Sequence, residues 1–275
     1  MNHNKKLSLL VILTASFLIY SCQKENAGGN DNLNQPHSVT VYLTDHATPV
    51  FDSVFIDMQR LEVKVEDDTL PNGGWISMGI RPGVYNILRF RNGLDTLFAS
   101  GTLPNARIKK IRLTLGMQNS AMLNGQSFTL RVKDNEREVE VDLDSRHFEI
   151  TGNGQVMFWI DFDAGNSIQV DNSGSGNNNG YLLRSHLRIF SRSHSGRIEG
   201  KLFPAGAAAI VKAFIGSDTA TAIPENNGEF KIVGLNAGAY SVLFDGQNGY
   251  RDTLISNIVV RNGEDTHLSA VTLHQ

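Results

Sequence analysis

From residue 36 onward, apolar positions recur every second residue in short runs, and no long window keeps them at helical spacing. Val39, Val41 and Leu43 alternate with Thr40, Tyr42 and Thr44. Val54, Ile56 and Met58 alternate likewise, but Leu61, Val63 and Val65 continue on the opposite parity, which predicts a bulge or break between Met58 and Leu61. Phe128, Leu130 and Val132, then Val139, Val141 and Leu143, flank the polar stretch Asp134-Asn135-Glu136-Arg137. That arrangement predicts a hairpin with Arg131 and Lys133 facing Glu138 and Glu140. Val156–Phe162 is apolar at both parities, the pattern of a strand covered on both sides. Turn signals stand at Asn72-Gly73-Gly74, Arg91-Asn92-Gly93 and Asn153-Gly154, and the polar stretch 171–180 reads as an exposed loop.

A composition break at 191–196 (SRSHSG) reads as a linker with hinge freedom. Beyond it, strands are expected over 197–203, 208–214, 229–233, 239–244, 253–260 and 266–273, the spacing of a small antiparallel sandwich. The chain therefore divides into a leader over 1–21, a tether over 22–36, one β module over 37–190, the linker, and a second β module over 197–275. The fold class is all-β.

The leader carries Lys5 and Lys6 before an apolar run over 7–20. At ~1.5 Å per residue that run rises ~21 Å, short of the ~30 Å hydrocarbon core, so it reads as a signal rather than a membrane span. Its end, Ile19-Tyr20-Ser21-Cys22, resembles the lipobox of bacterial lipoproteins, although Tyr20 departs from the usual pattern. The resemblance implies cleavage before Cys22 and lipidation of that residue, the chain's single cysteine. Several acyl chains at ~0.8 kcal/mol per buried CH₂ would hold the chain on a membrane. The alternative is ordinary secretion with an incidental thiol. Gln23-Lys24-Glu25 is similar to the acidic export signal of Bacteroidota surface lipoproteins, which implies the outer membrane and its exterior face. The stretch 23–35 lacks aromatic and β-branched residues, as a flexible tether does.

Two further resemblances concern the modules. Val39-Thr40-Val41-Tyr42-Leu43-Thr44-Asp45, Phe51-Asp52-Ser53-Val54, and Trp159-Ile160-Asp161-Phe162-Asp163-Ala164 resemble domain of unknown function 4382. Its members are mostly bacterial lipoproteins, and the likeness implies an immunoglobulin- or prealbumin-like sandwich. The family's Asp-Ala-Pro is here Asp45-His46-Ala47, with Pro49 displaced. Gly228-Glu229-Phe230, Gly234-Leu235, Ala237-Gly238-Ala239-Tyr240 and Gly249-Tyr250 resemble the regulatory domain of metallocarboxypeptidases. That likeness implies a transthyretin-like, non-catalytic appendage.

Composition narrows the chemistry. With 25 Lys+Arg against 28 Asp+Glu, net −3, there is no electrostatic case for nucleic acid. One cysteine excludes a disulfide scaffold and a cysteine zinc site. No His-x-x-Glu, His-Glu-x-x-His or Gly-x-Ser-x-Gly occurs, and the calcium-loop echo at 171–182 ends in Leu182 where a bidentate Glu is required. Asp161 and Asp163 share a strand face with Trp159, and Asp45 ends a strand in similar context. The three could form a calcium site, or each could cap a turn by accepting backbone N–H bonds. Arg184, His186, Arg188 and Arg192 read as one outer strand face. Trp75, Tyr85, Trp159, Tyr181 and Tyr250 are the aromatic candidates for a ligand, with Trp75 beside Gly73-Gly74 placed for exposure and Trp159 placed for the core.

These readings converge on a non-enzymatic outer-membrane lipoprotein that presents two modules for binding or scaffolding, with a glycan or an envelope or extracellular protein as partner. No cofactor is expected beyond the calcium alternative. Two other classes stay open: carbohydrate capture in a glycan-uptake system, and a hydrolase whose residues assemble only in three dimensions.

Overall fold

The computed structural model describes residues 36–48, 50–67, 69–171 and 180–275. The leader, Cys22, the tether 23–35 and most of the 171–180 loop lie outside the described residues. The protein is all-β, with strands filling almost every described element. Among the described residues, the α-helix is one turn, Ala164–Ser167, and no helix is long and apolar enough to cross a membrane.

A fourteen-stranded sheet folds over on itself and encloses one core over residues 39–189. In its first half, His37–Thr44 lies between Val156–Phe162, to which it runs parallel, and antiparallel Thr96–Leu103. The second half is organised on Ser53–Val65, which pairs with Trp75–Ile80, Gly83–Asn86, Ile108–Leu115 and Ser120–Leu123. The corner is Trp75–Ile80, whose start pairs with Leu61–Lys64 while Gly79 and Ile80 pair with Ser100 and Ala99.

The expected face change occurs. Ser53–Val65 is a single thirteen-residue strand, and its register against Ile108–Leu115 shifts between Met58 and Arg60. This bulge lets Val54, Ile56 and Met58 and then Leu61, Val63 and Val65 all reach the core.

The expected hairpin does not form. Gln126–Arg131 pairs with Ser120–Leu123, and Glu138–Asp142 pairs with Ile108–Leu115. The cause is the turn Asn124-Gly125, with φ of +51° and +76°, whose twist suits a two-residue hairpin. Glu138 and Glu140 therefore meet Arg112 and Lys110 rather than Arg131 and Lys133.

Beyond residue 195 a second core forms from residues 198–273 between two four-stranded sheets. Gly196–Phe203 is flanked by Glu229–Leu235 and, in parallel, by Asp265–His267 and Val271–Thr272. The other sheet runs Asp218–Ala222, Ile210–Ile215, Gly238–Asp245, Thr253–Val260. Asp218–Ala222 (DTATA) carries too little hydrophobic contrast to read as a strand from sequence. The expected strand over 266–273 is broken between His267 and Val271.

The 191–196 junction differs from a slack hinge. Ser191 Oγ donates to Arg146 O at 2.9 Å, and Ser195 Oγ donates to Ser191 O at 2.7 Å. Both serines are buried. The modules are also joined side by side, and that contact defines the site.

Candidate functional site

The first strand and its parallel partner Val156–Phe162 end at the same edge, so the segments that follow them are neighbours. The two turns are stitched reciprocally. Asp161 Oδ1 accepts from His46 N at 2.9 Å, and Asp45 Oδ1 accepts from Ala164 N at 3.3 Å. Asp163 caps the helical turn by accepting from Asn166 N at 3.1 Å. All three predicted carboxylates thus accept backbone N–H groups, the turn-capping alternative. Among the described residues, no group of three or more His, Cys, Asp and Glu side chains is placed to hold a metal ion. Nothing in this geometry supports a calcium site at Asp45, Asp161 and Asp163.

Asp161 lies within the sandwich edge and is 1% exposed. Burial pushes its carboxyl up, but His46 and Arg188 beside it outweigh that and hold it below the usual range. The His46 ring Nδ1 is in ion-pair contact with Asp161 Oδ2, and Arg188 Nε stands 3.8 Å away. Asp45 moves the other way. Burial, reinforced by the neighbouring Asp161 charge, raises its carboxyl well above the ordinary value and favours the neutral acid. The two adjacent carboxyls are therefore driven in opposite directions, Asp161 lowered and Asp45 raised. Asp45 is 3% exposed, so this division serves packing rather than proton exchange with a substrate.

The outer side of this cluster meets the second module. His46 Nε2 faces Val233 O at 3.1 Å, and Arg188 Nη2 donates to Gly234 O at 2.7 Å. Asn92 Nδ2 donates to Ile223 O at 2.8 Å, and Thr221 Oγ1 donates to Ala47 O. The two His46 ring nitrogens thus face groups of different modules, Asp161 in the first and Val233 O in the second. Gly234, at φ +69°, sits against Phe190, where a Cβ would lie 2.8 Å from the ring. The second face of Val156–Phe162, including Trp159 and Asp161, is thus buried at the edge where the second module docks.

Arg188 is consequently an interface residue and leaves the outer face expected for Arg184, His186, Arg188 and Arg192. Its pattern gave no warning, because an inter-module contact has no periodicity. His46 had one signal, its place in the displaced Asp-Ala-Pro turn.

The aromatic candidates occupy separate places. Trp75 is half-buried, with the Arg112 guanidinium 4.2 Å from its ring centre and Lys64 Nζ at 5.9 Å. Tyr181 packs edge-on to Phe51 and Phe128, and Tyr250 packs against the second core. No ring contact joins the three among the described residues.

No curated protein matches the chain. Similar solved structures include a cohesin–X-dockerin complex of Acetivibrio cellulolyticus, 25% identical, TM-score 0.24, covering 28% of this chain and 56% of that one. The minor pilin GBS52 of Streptococcus agalactiae is 9% identical, TM-score 0.22, covering 86% and 95%. A fimbrial protein of Bacteroides ovatus is 10% identical, TM-score 0.24, covering 89% and 51%. The match thus spans about half the length of the first of these proteins, and TM-scores this low carry no functional argument. Residues 37–185 match a family described as Domain of unknown function (DUF4382). That match takes in the reciprocal stitch and more than half of the sequence, so the chain belongs to the DUF4382 family.

Proposed function

We propose that this protein is a lipid-anchored outer-membrane component that faces the exterior and binds or scaffolds rather than catalyses. The observation that carries the reading is how the charged residues at the module junction are used. Asp45, Asp161, His46 and Arg188 are turned inward onto backbone groups and one another, which fixes two modules as one body. Residues in such roles hold a shape, and they are not free to move protons for a substrate.

The direction of the first strand adds to the reading. His37 begins it beside Leu103 and Gly154, and Thr44 ends it at the module junction. The seven steps along this eight-residue strand, at ~3.3 Å each, separate these ends by ~23 Å. A lipidated Cys22 with its tether therefore enters at the end of the first module remote from the second. The second module, proposed as transthyretin-like, is then displayed farthest from the membrane. Its glycines support that family pattern. Gly228 at φ +82° lies against Leu202 O, where a Cβ would meet the oxygen at 2.3 Å.

The partner is proposed to be a glycan or an envelope or extracellular protein. The test is processing and accessibility in the native host. Cys22→Ala or globomycin should block cleavage before Cys22 and shift the chain out of the outer-membrane fraction as an uncleaved precursor, and protease added to intact cells should remove the second module. Unchanged processing and an unchanged outer-membrane fraction, or a second module protected on intact cells, would overturn the reading.

A further inference from the structure

On the outer face of the first module, four strands bring one row of uncharged side chains into line. Val54 and Ile56 face the core, so Phe55 between them faces out. Asn86 and Ser120 stand opposite Phe55 on the two flanking strands, and Thr129 stands opposite Ser120. Phe55 is half-buried and lies outside both apolar cores. With Val84, Met117, Gln118, Ser120 and Thr129 it lines an open depression of about 500 Å³.

One wall of the depression is braced from beneath. Asp57, the next outward position on the Phe55 strand, is buried under the loop 116–119 and locks it. Gly116 N donates to Asp57 O at 2.7 Å, and Gln118 N donates to Asp57 Oδ2 at 3.1 Å. Asp57 N donates to Asn119 Oδ1 at 2.8 Å, and Asn119 Nδ2 closes the loop onto Gly116 O at 2.9 Å. A Cβ on Gly116 would overlap the Asp57 carboxylate. This braced loop holds Met117 62% exposed, near Val84 at 46%. A wall fixed in this way needs no ordering when a ligand arrives.

The lining carries no ionisable side chain, so no charge selects an ionic ligand. Phe55, Val84 and Met117 offer apolar contact, while the Gln118 amide and the Ser120 and Thr129 hydroxyls can each donate and accept. Phe55 and Ser120 lie on strands paired on both sides, so the floor has no open backbone edge for a peptide strand to join. A pyranose matches both halves of this lining. Its C–H face is apolar, and its hydroxyls donate and accept without charge. The volume lies within the range of small-ligand sites. We propose that this depression binds a neutral oligosaccharide, one sugar ring against Phe55, Val84 and Met117 and its hydroxyls toward Gln118, Ser120 and Thr129. The assignment rests on the glycan reading of the partner and gives it a place on the molecule.

The test titrates the purified full chain with maltotetraose, cellotetraose, xylotetraose and mannotetraose by isothermal calorimetry. At least one should saturate with a Kd of about 1 mM or tighter. Phe55→Ala removes the stacking face, and Met117→Asp sets an unpaired charge in the neutral lining, so each should weaken binding at least about tenfold. The proposal is overturned if none of the four saturates by about 10 mM. It is also overturned if either variant, with wild-type near-UV circular dichroism, keeps wild-type affinity. That second outcome would put the glycan elsewhere on the chain and leave the partner reading standing. If Phe55→Ala loses its near-UV signal, Met117→Asp decides, because the Met117 side chain is exposed. Sedimentation equilibrium of the same samples covers a second copy of the chain as occupant. Self-association abolished by Met117→Asp would make the depression a contact between copies and overturn the proposal. Lipid processing enters none of these readouts, so the anchored-display reading and this one fail separately.

Discussion

Replacing Gly234 with Ala probes the module junction at its tightest point. Two costs add. A residue with a Cβ at φ +69° is strained by about 1–2 kcal/mol relative to glycine. The new methyl would also lie 2.8 Å and 2.9 Å from Phe190 Cδ1 and Cε1, and overpacking of that kind costs about 1–3 kcal/mol. The expected destabilisation is therefore about 2–5 kcal/mol, a large part of a typical folding free energy. Gly216 separates the two costs. At φ +59° it has the same backbone demand, but a Cβ there meets nothing within 4 Å, so Gly216→Ala should cost about 1–2 kcal/mol. Urea denaturation of Gly234→Ala, Phe190→Ala and the double variant completes a thermodynamic cycle. Without the Phe190 ring, only the backbone cost remains at Gly234, so a coupling of about 1–3 kcal/mol is expected. Additivity within about 0.5 kcal/mol would show that the ring and the glycine do not touch in solution, and would refute the docked arrangement.

Three further outcomes follow from the charged groups. Asp45→Asn keeps the acceptor for Ala164 N while removing an acid whose folded pKa is raised by burial and by Asp161. Because the folded value is the higher one, wild-type stability is intact below the ordinary carboxylate range and is lost as pH rises through the folded value. Denaturation across that window should show the variant overtaking wild type as pH increases. Asp161→Asn should destabilise by about 3–5 kcal/mol, since His46 and Arg188 would lose their buried counter-ion. Asp161 has the depressed pKa, so its contribution is present above the unfolded value and lost on acidification through the folded one, and the variant's acid limb should be shallower. The Arg146 guanidinium beside Asp144 holds that carboxyl at about 2, and carboxyl NMR titration should find it there. Arg146→Ala should return it toward ~3.9. The pair is solvent-accessible, so the accompanying stability change should stay under about 1 kcal/mol.

What the sequence disclosed and what it withheld divide along physical lines. Faces were legible because burial imposes a period of two. The shift after Met58 and the double burial of Val156–Phe162 are both visible in the order of residues. Partners were not legible in the same way. Glu138–Asp142 and Ser120–Leu123 are equally good neighbours for Gln126–Arg131 by pattern, and the choice fell to the Asn124-Gly125 turn. At the site, the capping role of Asp163 follows from local chemistry, whereas the His46–Val233 and Arg188–Gly234 contacts join residues 187 and 46 apart. Nothing periodic marks contacts of that span. Asp95 escaped notice for a related reason, since its partners Trp159 and Arg192 stand 64 and 97 residues away.

The parallel pairing of the first strand constrains when this molecule can acquire its shape. His37–Thr44 has one long neighbour from Thr96–Leu103 and the other from Val156–Phe162, and the His46–Asp161 bond closes a separation of 115 residues. A ribosome or translocase delivering the chain from its amino end releases the first strand long before its parallel neighbour. The other edge of the first strand must wait for its parallel partner, because distant contacts form slowly and carry a large closure entropy. Under the export proposed above, such delayed closure would keep the chain extended while it is threaded through a channel, with assembly completed only on the far side.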